Sequence, residues 1–388
     1  MSNVSFIIGS GFSVPAGYPT TSALNNRLHK INASEICIHT SGDAWFLMGQ
    51  TDPNAHWMRV EQRKFVEDFL TFYNEVILEP GQSFHYETFY DYYRHFYDGQ
   101  PYSDELNRFL TGFRKRHRAR TDDLLMNFNH TFNQLIVQLL TKKLERVHLA
   151  KPYHPNYDAF LHLVEALAET HRVRLHTLNH DLYMEHLAYS DSIQAEMDDG
   201  FEELGSPFYG QMYAPYERYK VRLPYFTNRY ERRFCLYKLH GSIDFYWFQD
   251  GDELYLLRNK RGVSHLDFCK ETERDGKLQY IGKPTGYYPE FLSGTTFKIG
   301  RYEGGLYYPV IMEHFARNLR DSNTLIVIGY GFGDSRINEY IDNFFGAASK
   351  KMFIVDINPP DTQYLQRDDV HYIGGGVSGM DIQAILSK

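Results

Sequence analysis

The stretch VSFIIGSGFS, residues 4–13, decides the fold class. Its first five residues are mostly apolar and β-branched and read as a buried strand, which runs directly into Gly9-Ser10-Gly11-Phe12-Ser13. A strand ending in a glycine turn is how parallel α/β sheets open a ligand crevice. The glycines permit the turn and let backbone N–H groups approach a pyrophosphate near a helix N-terminus. The third glycine of a GxGxxG fingerprint is missing: position 14 is Val, and the segment continues Pro15-Ala16-Gly17-Tyr18-Pro19-Thr20. An ordinary dehydrogenase is therefore disfavoured. A glycine turn serving only strand-to-helix geometry stays open.

Working outward, similar apolar runs at residues 173–177, 236–239, 324–328, 352–357 and 370–373 predict further buried strands, each closed by a polar or glycine-rich turn. Helical spacing lies between them: Phe160, Leu163, Val164 and Leu167; Ile311, Phe315 and Leu319; Ile337, Ile341, Phe344 and Phe345. Alternating strands and helices predict an α/β fold with a Rossmann-like parallel sheet. From about residue 29 to residue 154 the apolar positions keep helical spacing, as in Phe65, Phe69, Phe72, Val76 and Leu125, Phe128, Phe132, Leu135, Leu139, and predict an all-helical insertion. Residues 189–233 and 248–308 carry Gly, Pro and Tyr without sustained period and read as further insertions. The expected layout is one domain over residues 1–388, with its core in 1–28, 155–188, 234–247 and 309–388 and the helical insertion in 29–154.

Composition narrows the classes. Hydrophobic content of 43% with 23% charged residues is that of a folded globular chain. No run approaches the roughly 20 apolar residues of a membrane-spanning helix. The start lacks the basic segment of a signal peptide, so a cytoplasmic protein with no membrane partner is expected. Cys37, Cys235 and Cys269 are too few and too far apart for a disulfide framework or a tetrathiolate zinc site, and no metal is expected. A formal charge of -8 argues against nonspecific nucleic-acid binding by the whole surface. The run Arg114-Lys115-Arg116-His117-Arg118-Ala119-Arg120 keeps a local phosphate contact open, with solvated surface as the plainer reading. The segment FHYETFYDYYRHFY, residues 84–97, could stack bases, although interior packing or subunit contact is commoner for such clusters.

The polar residues that carry chemistry stand at strand ends. The second core strand ends Thr177-Leu178-Asn179-His180-Asp181, placing an amide and a carboxylate in the crevice; Asp181 could equally cap a following helix. The third ends Lys238-Leu239-His240-Gly241-Ser242, presenting a histidine whose unperturbed pKa of about 6.5 suits proton acceptance near neutrality. Gly329-Tyr330-Gly331-Phe332-Gly333-Asp334 and Val355-Asp356-Ile357-Asn358-Pro359 close two later strands. The other histidines straddle different elements and read as structural or surface groups.

Taken in order, GSGFS, TLNHD, LHGS, GYGFGD and VDINP resemble the sirtuin superfamily, specifically the divergent bacterial sirtuin-like domains of antiphage defence systems. The resemblance covers the core strands and not the insertions. It implies NAD as the substrate. Gly9, Gly11, Ser13 and Thr20 would serve the phosphate loop; Asn179 would be the amide at the cleavage site, Asp181 the nicotinamide-side carboxylate and His240 the general base; Gly329, Gly331, Asp334 and Asn358 would face the dinucleotide. The family's deacylases carry a four-cysteine zinc module that three cysteines cannot supply, which turns the expectation from deacylation to an NAD glycohydrolase that depletes NAD on infection. An NAD-binding or ADP-ribose-binding module without turnover is the alternative. The chain ends soon after its last strand, so activation is expected from another polypeptide. Members of this size resemble those paired with a hexameric HerA-type ATPase, which implies that partner together with homo-oligomeric rings.

Overall fold

A computed structural model of the chain describes residues 2–38, 44–46, 60–94, 101–118, 124–141, 154–213, 217–274, 276–282, 285–286, 289–291, 306–346 and 349–387. Seven parallel strands form its central sheet: β1 (Ser2–Ile8), β2 (His171–Thr177), β3 (Met197–Asp198), β4 (Phe234–Lys238), β5 (Ser322–Ile328), β6 (Lys351–Val355) and β7 (Val370–Ile373). They lie in the order β7-β6-β5-β1-β2-β4-β3. The α/β class and the parallel Rossmann-like sheet read from the sequence are therefore present. The chain steps outward from β1 through β2 to the edge strand β3, fills the space between those two as β4, then crosses to the other flank of β1 as β5, β6 and β7. The reversal between β1 and β5 is where open α/β sheets leave a crevice.

Register sets the height of the loops. Ile8 pairs with both Thr177 and Ile328, Thr177 with Lys238, Ile328 with Val355, and Val355 with Ile373. Six strands therefore end in one row, and the loops after them start side by side. The interior strands are buried over most of their length because helices cover the faces. Helix α1 (Asp158–Ala168) buries Phe160, Leu163, Val164 and Leu167, with the Phe160 ring edge-on to Phe6 at 6.1 Å. Helices α2 (Tyr308–Asp321) and α3 (Ser335–Phe344) bury Ile311, Phe315, Leu319 and Ile337, Ile341, Phe344, at the spacing the sequence shows.

The described parts of the intervals without sequence periodicity are mainly β-structure. One antiparallel sheet holds Phe245–Asp250, Glu253–Arg258, Tyr225–Phe226 and Phe201–Glu202; a second holds Lys277–Gly282, Cys269–Arg274, Phe208–Tyr213 and Arg218–Arg222. Phe208, Leu223, Tyr246, Phe248, Leu257, Val263 and Phe268 form a shared core. Two boundaries move as a result. Phe245, read as a continuation of the core, opens the first antiparallel sheet, whereas Met197–Asp198, inside an expected excursion, joins the parallel one.

The chain divides into two compact units, residues 1–18, 146–291 and 301–388 in one and residues 19–145 and 292–300 in the other. The second unit holds helices Thr21–His29, Val60–Phe72, Tyr86–Arg94, Asp104–His117 and Leu124–Thr141. It is not all helical. Ile36–Ile38 and Ala44–Phe46 pair as a short antiparallel ladder, because a run such as Ile36-Cys37-Ile38, buried at every position, suits a strand better than one helix face. Phe65, Phe69, Phe89, Phe113 and Phe128 fill its core, with Phe69 and Phe128 crossing at 4.9 Å. Phe84, Tyr86, Phe89, Tyr90 and Tyr93 are buried, so the described part of the aromatic segment packs inward; residues 95–97 lie outside the described residues. The basic residues 114–117 close a helix, where their charge complements the carbonyl end, and Arg116 and His117 each approach Asp68 at 3.6 Å. Ala119 and Arg120 lie outside the described residues. No described helix is long and apolar enough to cross a membrane.

Candidate functional site

At the sheet reversal, two glycine loops touch backbone to backbone. The Gly9 amide donates to Ile328 O at 2.9 Å and the Gly11 amide to Gly329 O at 3.0 Å. A Cβ on Gly9 would collide with Gly329 O and stand 2.6 Å from Tyr330 Cα; one on Gly329, whose φ is 62°, would stand 2.5 Å from Phe12 N. Gly9, Gly11 and Gly329 are thus demanded first by the packing of one loop on the other. The amides of Phe12 and Ser13 turn back to Gly9 O and Ser10 O, and two 3-10 turns, Ser10–Phe12 and Val14–Ala16, follow the loop. This corrects the expectation of an α-helix N-terminus behind the first glycine loop: the first α-helix begins at Thr21, and Pro15 with Gly17 in a left-handed conformation breaks the path to it. Gly331, by contrast, faces open space at its Cβ position and leaves room for close approach.

Asn179 reaches across from the loop after β2. Its Nδ2 donates to Gly9 O at 3.0 Å and to Ser13 Oγ at 3.1 Å. Both amide hydrogens are engaged, so only Oδ1 remains to meet a ligand, and it can only accept. The Ser13 side chain lies near enough to the Asp181 carboxyl to favour its charged form. Asp181 Oδ1 also accepts from Tyr183 N at 2.9 Å, so the carboxylate supports the turn into the short helix Tyr183–His186 as well as facing Ser13. Burial pushes the Asp181 carboxyl above its ordinary range, while the Lys238 charge pulls it back. Below this loop Phe12, Tyr157, Phe160 and Tyr183 pack ring against ring, and Tyr157 donates to Phe12 O at 2.6 Å.

Lys238, the last residue of β4, is only 2% exposed. Its Nζ donates to Asp181 O and pairs with Glu185 Oε1 at 3.1 Å. A buried ammonium requires such partners. It ties the Asn179–Asp181 loop to the strand that carries His240 two residues later. His240 Nε2 lies 3.3 Å from Asp334 Oδ2, and its ring centroid is 6.0 Å from that of His180, which packs on Phe291. Gly241 has φ 75°, and a Cβ there would collide with Glu290 O. Ser242 and Asp244 had no role from sequence; Ser242 is buried and Asp244 partly buried, where it pairs with Arg258 at 3.4 Å, and Arg258 also pairs with Asp199.

Gly9, Gly11, Ser13, Asn179, Asp181, His240, Gly329, Gly331 and Asp334, the residues expected here, lie at this edge of the sheet. Asn358 is exposed in the loop after β6, beyond β5. Thr20 belongs to the other unit, where its Oγ1 accepts from Ala23 N at 3.1 Å and caps the helix Thr21–His29. Lys238, Glu185 and His180 were missed as site residues. Lys238 and His180 lie inside the quoted motifs and Glu185 shortly after one, but nothing in the sequence pairs a lysine with a glutamate more than 50 positions away. Among the described residues no group of three or more His, Cys, Asp and Glu side chains could hold a metal ion.

Residues 173–373, more than half of the chain, match the SIR2-like domain family. The chain belongs to that family. A search of curated proteins returned no match. Among solved structures, this SIR2-like chain is similar to one described under the structural basis for the mechanism and regulation of Sir2 enzymes, at 12% identity, with 100% of this chain and 94% of that one covered and a TM-score of 0.40. Two mutant forms of a Sir2 homologue in complex with ADP-ribose are each 11% identical, with 99% of this chain and 93% of theirs covered and TM-scores of 0.40 and 0.41.

Proposed function

We propose that this SIR2-like protein binds NAD at the carboxyl edge of its sheet and hydrolyses the bond between nicotinamide and ribose, giving nicotinamide and ADP-ribose. The observation that carries the reading is the fixed polarity of Asn179. With both Nδ2 hydrogens held, its Oδ1 is an acceptor aimed by the scaffold, suited to hold a water or a ribose hydroxyl. Thr177 and Lys238 are register partners, so Asn179 and His240 stand equal distances beyond them on neighbouring loops. Water oxygen bonds to the ribose carbon, the carbon–nitrogen bond breaks with its electron pair going to nicotinamide, and His240 accepts the proton that water gives up. Asp181 and Ser13 hold the Asn179 side of the site. Ser13, Asp181, His240 and Asn179 are 1%, 5%, 5% and 7% exposed, and in so dry a setting fixed dipoles act strongly.

That same depth favours a second reading, a module that binds NAD or ADP-ribose without turnover. The experiment is nicotinamide release from NAD by the purified chain, alone and with its partner, with ADP-ribose affinity measured alongside. Release abolished in Asn179→Ala and His240→Ala supports hydrolysis; tight ADP-ribose binding with no release supports the module. The resemblance of the five motifs extends the proposal to a cytoplasmic, homo-oligomeric antiphage NADase activated by a HerA-type hexameric ATPase. Co-purification with such an ATPase tests that extension.

A further inference from the structure

We infer that Asp334 is a positioning residue for His240, an inference that rests on the reading of His240 as the base. The glycine-rich loop that ends in Asp334 reads in sequence as a dinucleotide contact. In the structure the two oxygens of its carboxylate have separate tasks. Oδ1 accepts from Arg336 N at 3.0 Å and Ile337 N at 3.2 Å and caps α3. Oδ2 stands 3.3 Å from His240 Nε2. The side chains of His240 and Asp334 are 6% and 16% exposed, so water screens the pair little.

The carboxylate is itself held. The Asp334 amide donates to the Tyr330 hydroxyl at 3.1 Å, and that hydroxyl lies 3.0 Å from Asp334 O and 3.1 Å from Asn338 Oδ1. The preceding Phe332 adopts φ 56°, a left-handed conformation uncommon for a bulky residue, and its ring packs on Tyr330 and Tyr364. A loop that keeps an aromatic residue in that conformation fixes where Asp334 points. Among the described residues, the charged and titratable groups placed around His240 include Asp334 from the loop after β5, His180 from the loop after β2 and Lys238 from its own strand, while the Glu290 backbone oxygen and the Tyr308 hydroxyl lie against Gly241 beside it. Asp334 is the anion in direct reach of the ring. It orients the imidazole through Nε2 and stabilises the imidazolium that forms when His240 takes a proton, as carboxylate partners of catalytic histidines do.

Asp334→Asn isolates the charge, because Asn keeps the Oδ1 cap and replaces only the oxygen that faces His240. Asp334→Ser, which also caps, is the second variant. The full-length protein is labelled with 15N-histidine, and the His240 imidazole, assigned by its loss in His240→Gln, is titrated by NMR. In both variants its midpoint falls by about one pH unit or more. The acid limb of nicotinamide release moves to lower pH with it, and kcat drops about a hundredfold while KM changes little. A midpoint unchanged in both variants overturns the pairing. A midpoint that falls in proteins that release no nicotinamide leaves the pairing standing and defeats the NAD-hydrolysis reading instead.

Discussion

His176 shows how the sheet fixes a protonation state. It lies wholly buried in β2, its Nδ1 donating to Phe6 O at 2.8 Å and its Nε2 accepting from Asn318 Nδ2 at 3.0 Å. That pairing requires the neutral ring. Burial pushes its pKa down to about 3, and burial also lowers that of half-exposed His314 to about 4. An unfolded chain protonates histidine near its ordinary value of about 6.5. Between those values the unfolded state binds more protons, so stability is complete above about pH 6.5 and declines as pH falls toward 3. Urea unfolding should therefore give a free energy that rises by a few kcal/mol from pH 4 to pH 6.5. His176→Gln should flatten that slope; an equally steep slope in the variant would assign the effect elsewhere.

At the scale of elements, two glycines of the loop after β5 make opposite predictions. Gly329→Ala places a Cβ 2.5 Å from Phe12 N at φ 62° and should cost about 3 kcal/mol or more, read as a lowered Tm. Gly331→Ala meets open space and should leave Tm within a degree or two while weakening ADP-ribose binding, because it narrows the room for a ligand. Calorimetry with ligand titration checks both, and an unchanged affinity in Gly331→Ala would remove that residue from the site. Six of the seven parallel strands were legible because each holds a short, largely apolar run that ends in a polar or glycine-rich turn. Their neighbours were not. Lys238 binds Glu185 and Asp181, and Asp244 binds Arg258 and Asp199, through pairs brought together by tertiary packing. The antiparallel sheets were illegible for a related reason: Phe208, Tyr246, Phe248 and Phe268 gather from three separate segments, each too short for a period to show. The ladder Ile36–Ile38 with Ala44–Phe46 is shorter still.

At the scale of the molecule, each compact unit has its own core: aromatic rings in the helical unit, and aliphatic strands under α1, α2 and α3 in the other. Phe128 touches Phe65, Phe69, Phe89 and Tyr93 at ring distances of 4.9 to 6.0 Å. Phe128→Ala should destabilise the helical unit by about 3–5 kcal/mol. Hydrogen exchange should then show helices Val60–Phe72 and Leu124–Thr141 losing protection while β1 and β5 keep theirs; loss across both units together would mean that the cores unfold as one. The account of the molecule turns on the parallel sheet as an NAD-cleaving scaffold, with Asn179 and His240 as its working groups. The most direct measurement is nicotinamide release from NAD by wild type, Asn179→Ala and His240→Ala, each with and without a HerA-type ATPase. An NAD-cleaving site of this kind gives release by the wild type that both substitutions abolish. Release at the wild-type rate in either variant would contradict it.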